Sequence, residues 1–171
     1  SIPDEELLYR QMPHSVEAEQ SVLGSMLMDQ RCIPEVMEHL TPDDFYNRQN
    51  REIFEAIYSM FTLSQSIDAV TVLERMRQDG TYDENATRAY VLQLVEVTPT
   101  SANVMEYVGI VKDKTLLRRI SQTSEDITAM DRGNDGTAQD ILDAAEQRIY
   151  DIRQGRAGRG LTPISTVMQD V

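Results

Sequence analysis

From Ala102 to Gly133 the helical pattern runs unbroken for about thirty residues, well over the mean of roughly 11 to 12 for a globular helix. A helix of this length outruns a small bundle. Val104, Tyr107, Val108 and Val111 suit the inside of a globular part, whereas Leu117, Ile120, Ile127 and Met130 continue an apolar line beyond it. That line needs a cover. The turn Arg132-Gly-Asn-Asp-Gly136 follows, and Thr137 with Asp140 makes a near capping box for a second helix. In that helix Ala138, Ile141 or Leu142, Ala145, Ile149 and Ile152 recur at spacings of three and four, as in a heptad seam. Two antiparallel helices make a hairpin, but they cannot bury apolar surface on both outward sides. Pairing of two hairpins into a four-helix bundle predicts a homodimer through residues 104 to 152, its seam formed by Leu117, Ile120, Ile141, Leu142, Ala145, Ile149 and Ile152. Docking of the hairpin onto its own domain is the alternative.

The hundred residues before it read as a compact all-helical bundle. In Pro13 to Asp29, Ser15 suits an N-cap and Glu17 and Glu19 place two carboxylates in the first turn, where the helix dipole favours them. Ala18, Val22 and Met26, flanked by Leu23 and Leu27, form a broad apolar stripe, and Gly24 inside it marks either a close backbone approach or a tolerated cost of roughly 1 kcal/mol. Ile33, Val36, Met37 and Leu40 predict a short second helix, and Thr41-Pro42-Asp43-Asp44 signals a further helix start. Ile53, Phe54, Ile57, Tyr58 and Phe61 make the segment from Arg48 to Leu63 the densest apolar helix, a core element. Val72, Leu73 and Met76 follow in a helix stopping near Gly80. Tyr90 and Leu94 belong to a short one ended by Val97-Thr-Pro-Thr100.

Composition restricts the partners. With a formal charge of −13 over 171 residues, the surface repels phosphate, and direct DNA binding is not expected. The lone Cys32 cannot form an internal disulfide, and neither a signal-type segment nor a bilayer-length apolar run occurs, so a cytoplasmic, non-membrane protein is expected. Chemistry is equally constrained. There is no G-x-x-x-x-G-K-[ST] loop to cradle nucleotide phosphates and no G-x-G-x-x-G. His14 and His39 lack ligand partners at metal-site spacing. Glu35, Glu38 and His39 miss the Glu-x-x-His spacing of di-metal bundles by one residue, and a solvated charged face accounts for them. Cys32 has no catalytic His in context. No catalytic residue, metal site or cofactor is therefore assigned to this chain.

Several stretches, taken together in order and spacing, resemble a known family. They are Ser15-V-E-A-E-Q-S-V-L-G-S-M-Leu27, Leu40-T-P-D-D-F-Tyr46, Ile53-Phe54, Ile67-D-A-V-T-Val72, Thr98-P-T-S-A-Asn103, Leu117-R-Arg119 and Asp143-A-A-Glu146. The chain resembles the N-terminal domain and linker of DnaB-type replicative DNA helicases. The resemblance implies a collar domain, a globular helical part plus a hairpin, paired so that a hexamer carries a trimer of dimers. It also implies docking of the primase C-terminal domain, with a helicase loader as a further possible partner. ATP and Mg would belong to a motor domain that is missing here. By resemblance the primase-binding positions are Glu17, Tyr90, Ser121 and Ile127. Ser121 departs from the apolar residue common there, and Asn50 replaces a histidine common before the Ile-Phe pair, read as neutral. The residues themselves leave other readings open: Glu17 as a helix-dipole partner, Tyr90 as core packing, Ile127 as part of the dimer seam.

The resulting organisation is an arm at 1–12, a globular helical subdomain at 13–101, a hairpin at 102–153, a Gly/Arg linker at 154–162 and the start of a linker helix at 163–171. In that last segment Ile164, Val167, Met168 and Val171 form an apolar face with no cover, so the sequence reads as cut from something longer, whose missing part supplies the docking groove; a frayed natural terminus is the alternative. The expected function is subunit pairing and primase recruitment at a replication fork, without enzymatic activity of its own. A free-standing dimeric helical adaptor is the alternative.

Overall fold

The computed structural model describes residues 11–133 and 136–155, and among them every regular element is helical. The order is α1 (Val16–Met28), a 3-10 turn (Gln30–Cys32), α2 (Ile33–His39), a second 3-10 turn (Pro42–Asp44), α3 (Arg48–Thr62), α4 (Ala69–Asp79), α5 (Thr87–Glu96), α6 (Val104–Gly133) and α7 (Ala138–Arg153). Most of the start and stop signals act as their chemistry requires. The Ser15 hydroxyl accepts from the Ala18 N–H, Asp68 and Thr71 form a reciprocal capping box, and Gly80 ends α4 in the left-handed region at φ 76°. Thr137 and Asp140 likewise box the start of α7.

Thr41 is the exception among these signals. Thr41 and Asp44 do make the reciprocal capping box, but the helix behind it lasts three residues, because Phe45 turns extended at φ −90°, ψ 117°. The box closes a turn. Phe45 is thereby sent into the core, where its ring stands 4.6 Å from that of Phe54. Tyr58, expected on the core face of α3, is 42 % exposed, so the buried stripe there is Ile53, Phe54, Ala56, Ile57 and Met60.

The chain divides into two compact units. The larger, Pro13–Thr115, packs α1 against α3 and α5, with α4 on α3 and α5, and takes in the first three turns of α6 through Val104, Val108 and Val111. At Gly24 the backbone of α1 comes close against α5 and the residues that follow it. A Cβ built there would lie 2.0 Å from Thr98 Oγ1 and 2.5 Å from the carbonyl oxygen of Leu94. Only glycine fits. Asp44, 2 % exposed, accepts from the Thr41 N–H at 2.8 Å and stands 3.7 Å from the Lys112 ammonium.

In the second unit, from Leu116 onward, α6 and α7 form an antiparallel hairpin. Across it Arg148 Nη1 lies 3.2 Å from Asp126 Oδ2. Being exposed, that pair contributes at most about 1 kcal/mol. Side-chain bonds one turn apart, Gln122 to Asp126, Gln139 to Asp143 and Gln147 to Asp151, line the polar faces of both helices.

Candidate interaction surfaces

The hairpin carries apolar surface that two helices cannot enclose. Leu116, Ile120, Ile127, Ile149 and Ile152, with Thr123, Ser124 and Arg153, line a concavity of about 550 Å³ between α6 and α7. Of these only Ile152 is buried, while Ile120 is 46 % and Ile149 55 % exposed. Beside the groove Leu117, Leu142 and Tyr150 are exposed as well. Ile141 and Ala145 are half-buried. The residues read as a seam therefore divide: Ile120, Ile149 and Ile152 share one groove, and Leu117 and Leu142 lie outside its lining. Single exposed leucines are ordinary, whereas a groove lined largely by apolar side chains is a candidate interaction surface.

The four positions carried over by resemblance fall two in each unit. Ile127 is half-buried in the hairpin groove and Ser121 half-buried on α6. Glu17 is exposed in the first turn of α1. Tyr90, on α5, is half-buried, and its hydroxyl is engaged inside the domain: it donates to Asn50 Oδ1 and accepts from Gln20 Nε2 at 3.3 Å. Burial, chiefly, raises its phenol pKa above the ordinary value. Ile164, Val167, Met168 and Val171 lie outside the described residues, as does most of the linker at 154–162.

Behind Tyr90 stands a polar cluster that the sequence reading did not anticipate. Glu19, taken as a dipole partner at the helix start, is only 2 % exposed. Its carboxylate accepts from the backbone N–H groups of Tyr46 at 3.1 Å and Asn47 at 3.3 Å, and from Asn50 Nδ2 at 3.1 Å. Asn50, taken as neutral, is fully buried and links Glu19 to Tyr90, so α1, α3 and α5 share one hydrogen-bonded chain. The available signal was periodicity: Glu19 follows Ala18 on the edge of the same apolar stripe, and a carboxylate there needs buried donors.

Burial and the neighbouring Asp29 carboxylate push the Cys32 thiol up to about 11, away from the thiolate a nucleophile needs. Among the described residues no cluster of His, Cys, Asp and Glu is placed to hold a metal ion, and no helix is long and apolar enough to cross a membrane.

The model of the DnaB-like helicase N-terminal domain matches residues 11–113. The chain belongs to this family. Replicative DNA helicase DnaB of Mycobacterium leprae is 32 % identical over 171 residues, covering 99 % of the chain and 28 % of that protein. The Geobacillus stearothermophilus DnaB is 30 % identical over 91 % of the chain and 34 % of its own length. The Pasteurella multocida DnaB is 32 % identical over 84 % of the chain and 31 % of its own. The chain thus spans about a third of these curated DnaB relatives. Among solved structures, the N-terminal domain of DnaB helicase from Mycobacterium tuberculosis superimposes with a TM-score of 0.75 at 34 % identity, covering 83 % of this chain and 99 % of that one. Both the all-helical fold and the resemblance to DnaB therefore hold. The chain is a DnaB N-terminal domain, and its 171 residues contain no nucleotide-binding loop.

Proposed function

We propose that this chain is the collar of a hexameric replicative helicase, pairing with further copies through the α6–α7 hairpin and presenting a surface that recruits primase. The observation that carries the reading is the open apolar groove of the hairpin, with Ile120 and Ile149 about half exposed along it. A second hairpin laid antiparallel to the first would convert two half-cores into one four-helix core, removing Leu116, Ile120, Ile149 and Tyr150 from water. The resemblance supplies the rest: a trimer of such dimers as the ring, the primase C-terminal domain as the docked partner, a helicase loader as a further one, and the cytoplasm as the compartment. ATP and Mg would act in a motor domain of the whole protein.

Light scattering tests both parts. The chain alone is expected to have the mass of a dimer or larger, Ile149→Asp to reduce it to a monomer, and the primase C-terminal domain from the same genome to add mass to the parent. A parent that is monomeric at micromolar concentration and ignores primase sinks the reading, whereas a dimer that ignores primase favours a free-standing dimeric adaptor.

A further inference from the structure

The arm at 1–12 carries Asp4-Glu5-Glu6 ahead of Leu7-Leu8-Tyr9, and one run of the chain has the opposite charge. We propose that the arm folds back on its own chain at the root of the hairpin, with its carboxylates on Arg119 and the cations beside it.

The basic run extends from Lys112 to Arg119. Of the 16 basic residues of the chain, Lys112, Lys114, Arg118 and Arg119 fall within these positions, and Asp113 is the one acid among them. Against a net charge of −13 that is a local reversal. Lys112 has a partner, its ammonium standing 3.7 Å from Asp44 Oδ1. Lys114 and Arg119 are half-buried and make no ion pair with another described residue. Carboxylates of the hairpin do not fill the role, since Asp126 is engaged by Arg148, Asp143 by Gln139 and Asp151 by Gln147.

The arm joins the larger unit beside this run. The His14 ring stacks on that of Tyr46, with centroids 4.5 Å apart. Two residues before Tyr46, the carbonyl of Asp44 accepts from Thr115 Oγ1 at 3.4 Å. Arg118 and Arg119 follow Thr115 at i+3 and i+4, one turn further along the same face of α6. From Thr115 to Arg119 the axial rise is about 6 Å, whereas the chain from Glu6 to His14 spans about 12 Å as a helix and at most about 29 Å extended. The carboxylates therefore reach the guanidinium groups without strain. The tether also decides the occupant, because an acid held on so short a linker is present at millimolar effective concentration. A free polyanion such as nucleic acid lacks that advantage and meets the repulsion of the whole acidic chain. Leu7 and Leu8 lie along the aliphatic stems of the two arginines, whose planar forks suit carboxylate binding. The contact holds whether or not two hairpins pair, so it goes beyond the collar reading.

Trypsin tests this, because Arg10 lies inside the arm. Release of the peptide Ser1–Arg10 from the full chain is timed by mass spectrometry. It should accelerate by about fivefold or more when Asp4→Asn, Glu5→Gln and Glu6→Gln are combined, and by a similar factor in Arg119→Glu. Salt at about 1 M, where the Debye length falls to about 3 Å, should do the same to the parent. Arg119→Lys should keep release slow. The triple variant changes only residues ahead of the bundle, and circular dichroism checks the fold of Arg119→Glu. Equal release rates in the parent and both charge variants overturn the proposal. Release from the parent that accelerates on dilution would place the arm on a second copy, and overturns it likewise.

Discussion

Replacing Gly24 by alanine ought to help an ordinary helix, since alanine is favoured by roughly 1 kcal/mol in a helix interior. Here the opposite is expected. The added methyl would stand 2.0 Å from Thr98 Oγ1 and 2.5 Å from the Leu94 carbonyl oxygen, distances that no side-chain rotation of residue 24 relieves. The Thr98 hydroxyl would have to turn away and give up its buried 2.7 Å bond to Leu94 O, a loss of about 1 kcal/mol. The carbonyl is backbone, so α5 must also retreat from α1 and loosen the packing around Val22, Val91 and Leu94. Overpacking of this sort costs about 1 to 3 kcal/mol. Against the propensity gain, the net is a destabilisation of about 2 kcal/mol, which lowers a urea midpoint by about 1 M for an m-value near 2 kcal/mol/M. Adding Thr98→Ala should restore only part of this, because the Leu94 oxygen remains. A Gly24→Ala midpoint equal to or above that of the parent would refute the close-approach argument.

Glu19→Ala strands the N–H groups of Tyr46 and Asn47 and the buried amide of Asn50, and should cost about 3 kcal/mol in thermal unfolding; a loss under about 1 kcal/mol would mean that water replaces the carboxylate. Tyr90→Phe keeps the ring but strips Asn50 Oδ1 of its donor, so denaturant titration should show about 1 to 2 kcal/mol lost, and an unchanged midpoint would make the hydroxyl dispensable. The Arg31 side chain, and then its N–H, hold Asp29 down to about 2 from an ordinary 3.8. A depressed carboxylate contributes stability that is present above the ordinary value and lost as pH falls toward the folded one, so stability should drop between about pH 4 and 2. Asp29→Asn should flatten that part of the curve, and an unaltered slope would count against the assignment.

What could be read from the sequence was local. Ser15, Gly80 and Thr137 mark helix ends because a cap depends on residues within one turn, and the stripes of α1 and α3 follow from the 3.6-residue period. The Thr41 box starts a helix as its signature requires but says nothing of its length, and the helix ends after three residues where Phe45 turns into the core. Glu19 misled for a related reason. First-turn position describes only the dipole, whereas its three donors come from residues 27 to 31 positions away, a relation that a single chain without its fold does not display. Of the candidate surfaces, the apolar line of the hairpin was legible as a spacing pattern.

The Glu19 carboxylate has one more consequence. Tyr46 and Asn47 belong to no helix ladder at their N–H groups, and amides in such a connection ordinarily trade their hydrogens for deuterium within moments. Because both donate to a side chain sunk between α1 and α3, they can exchange only when that interface parts. Two loop amides thereby become clocks for the opening of the core, and their protection should rise and fall with that of Ile53 and Phe54 rather than with the loops around them.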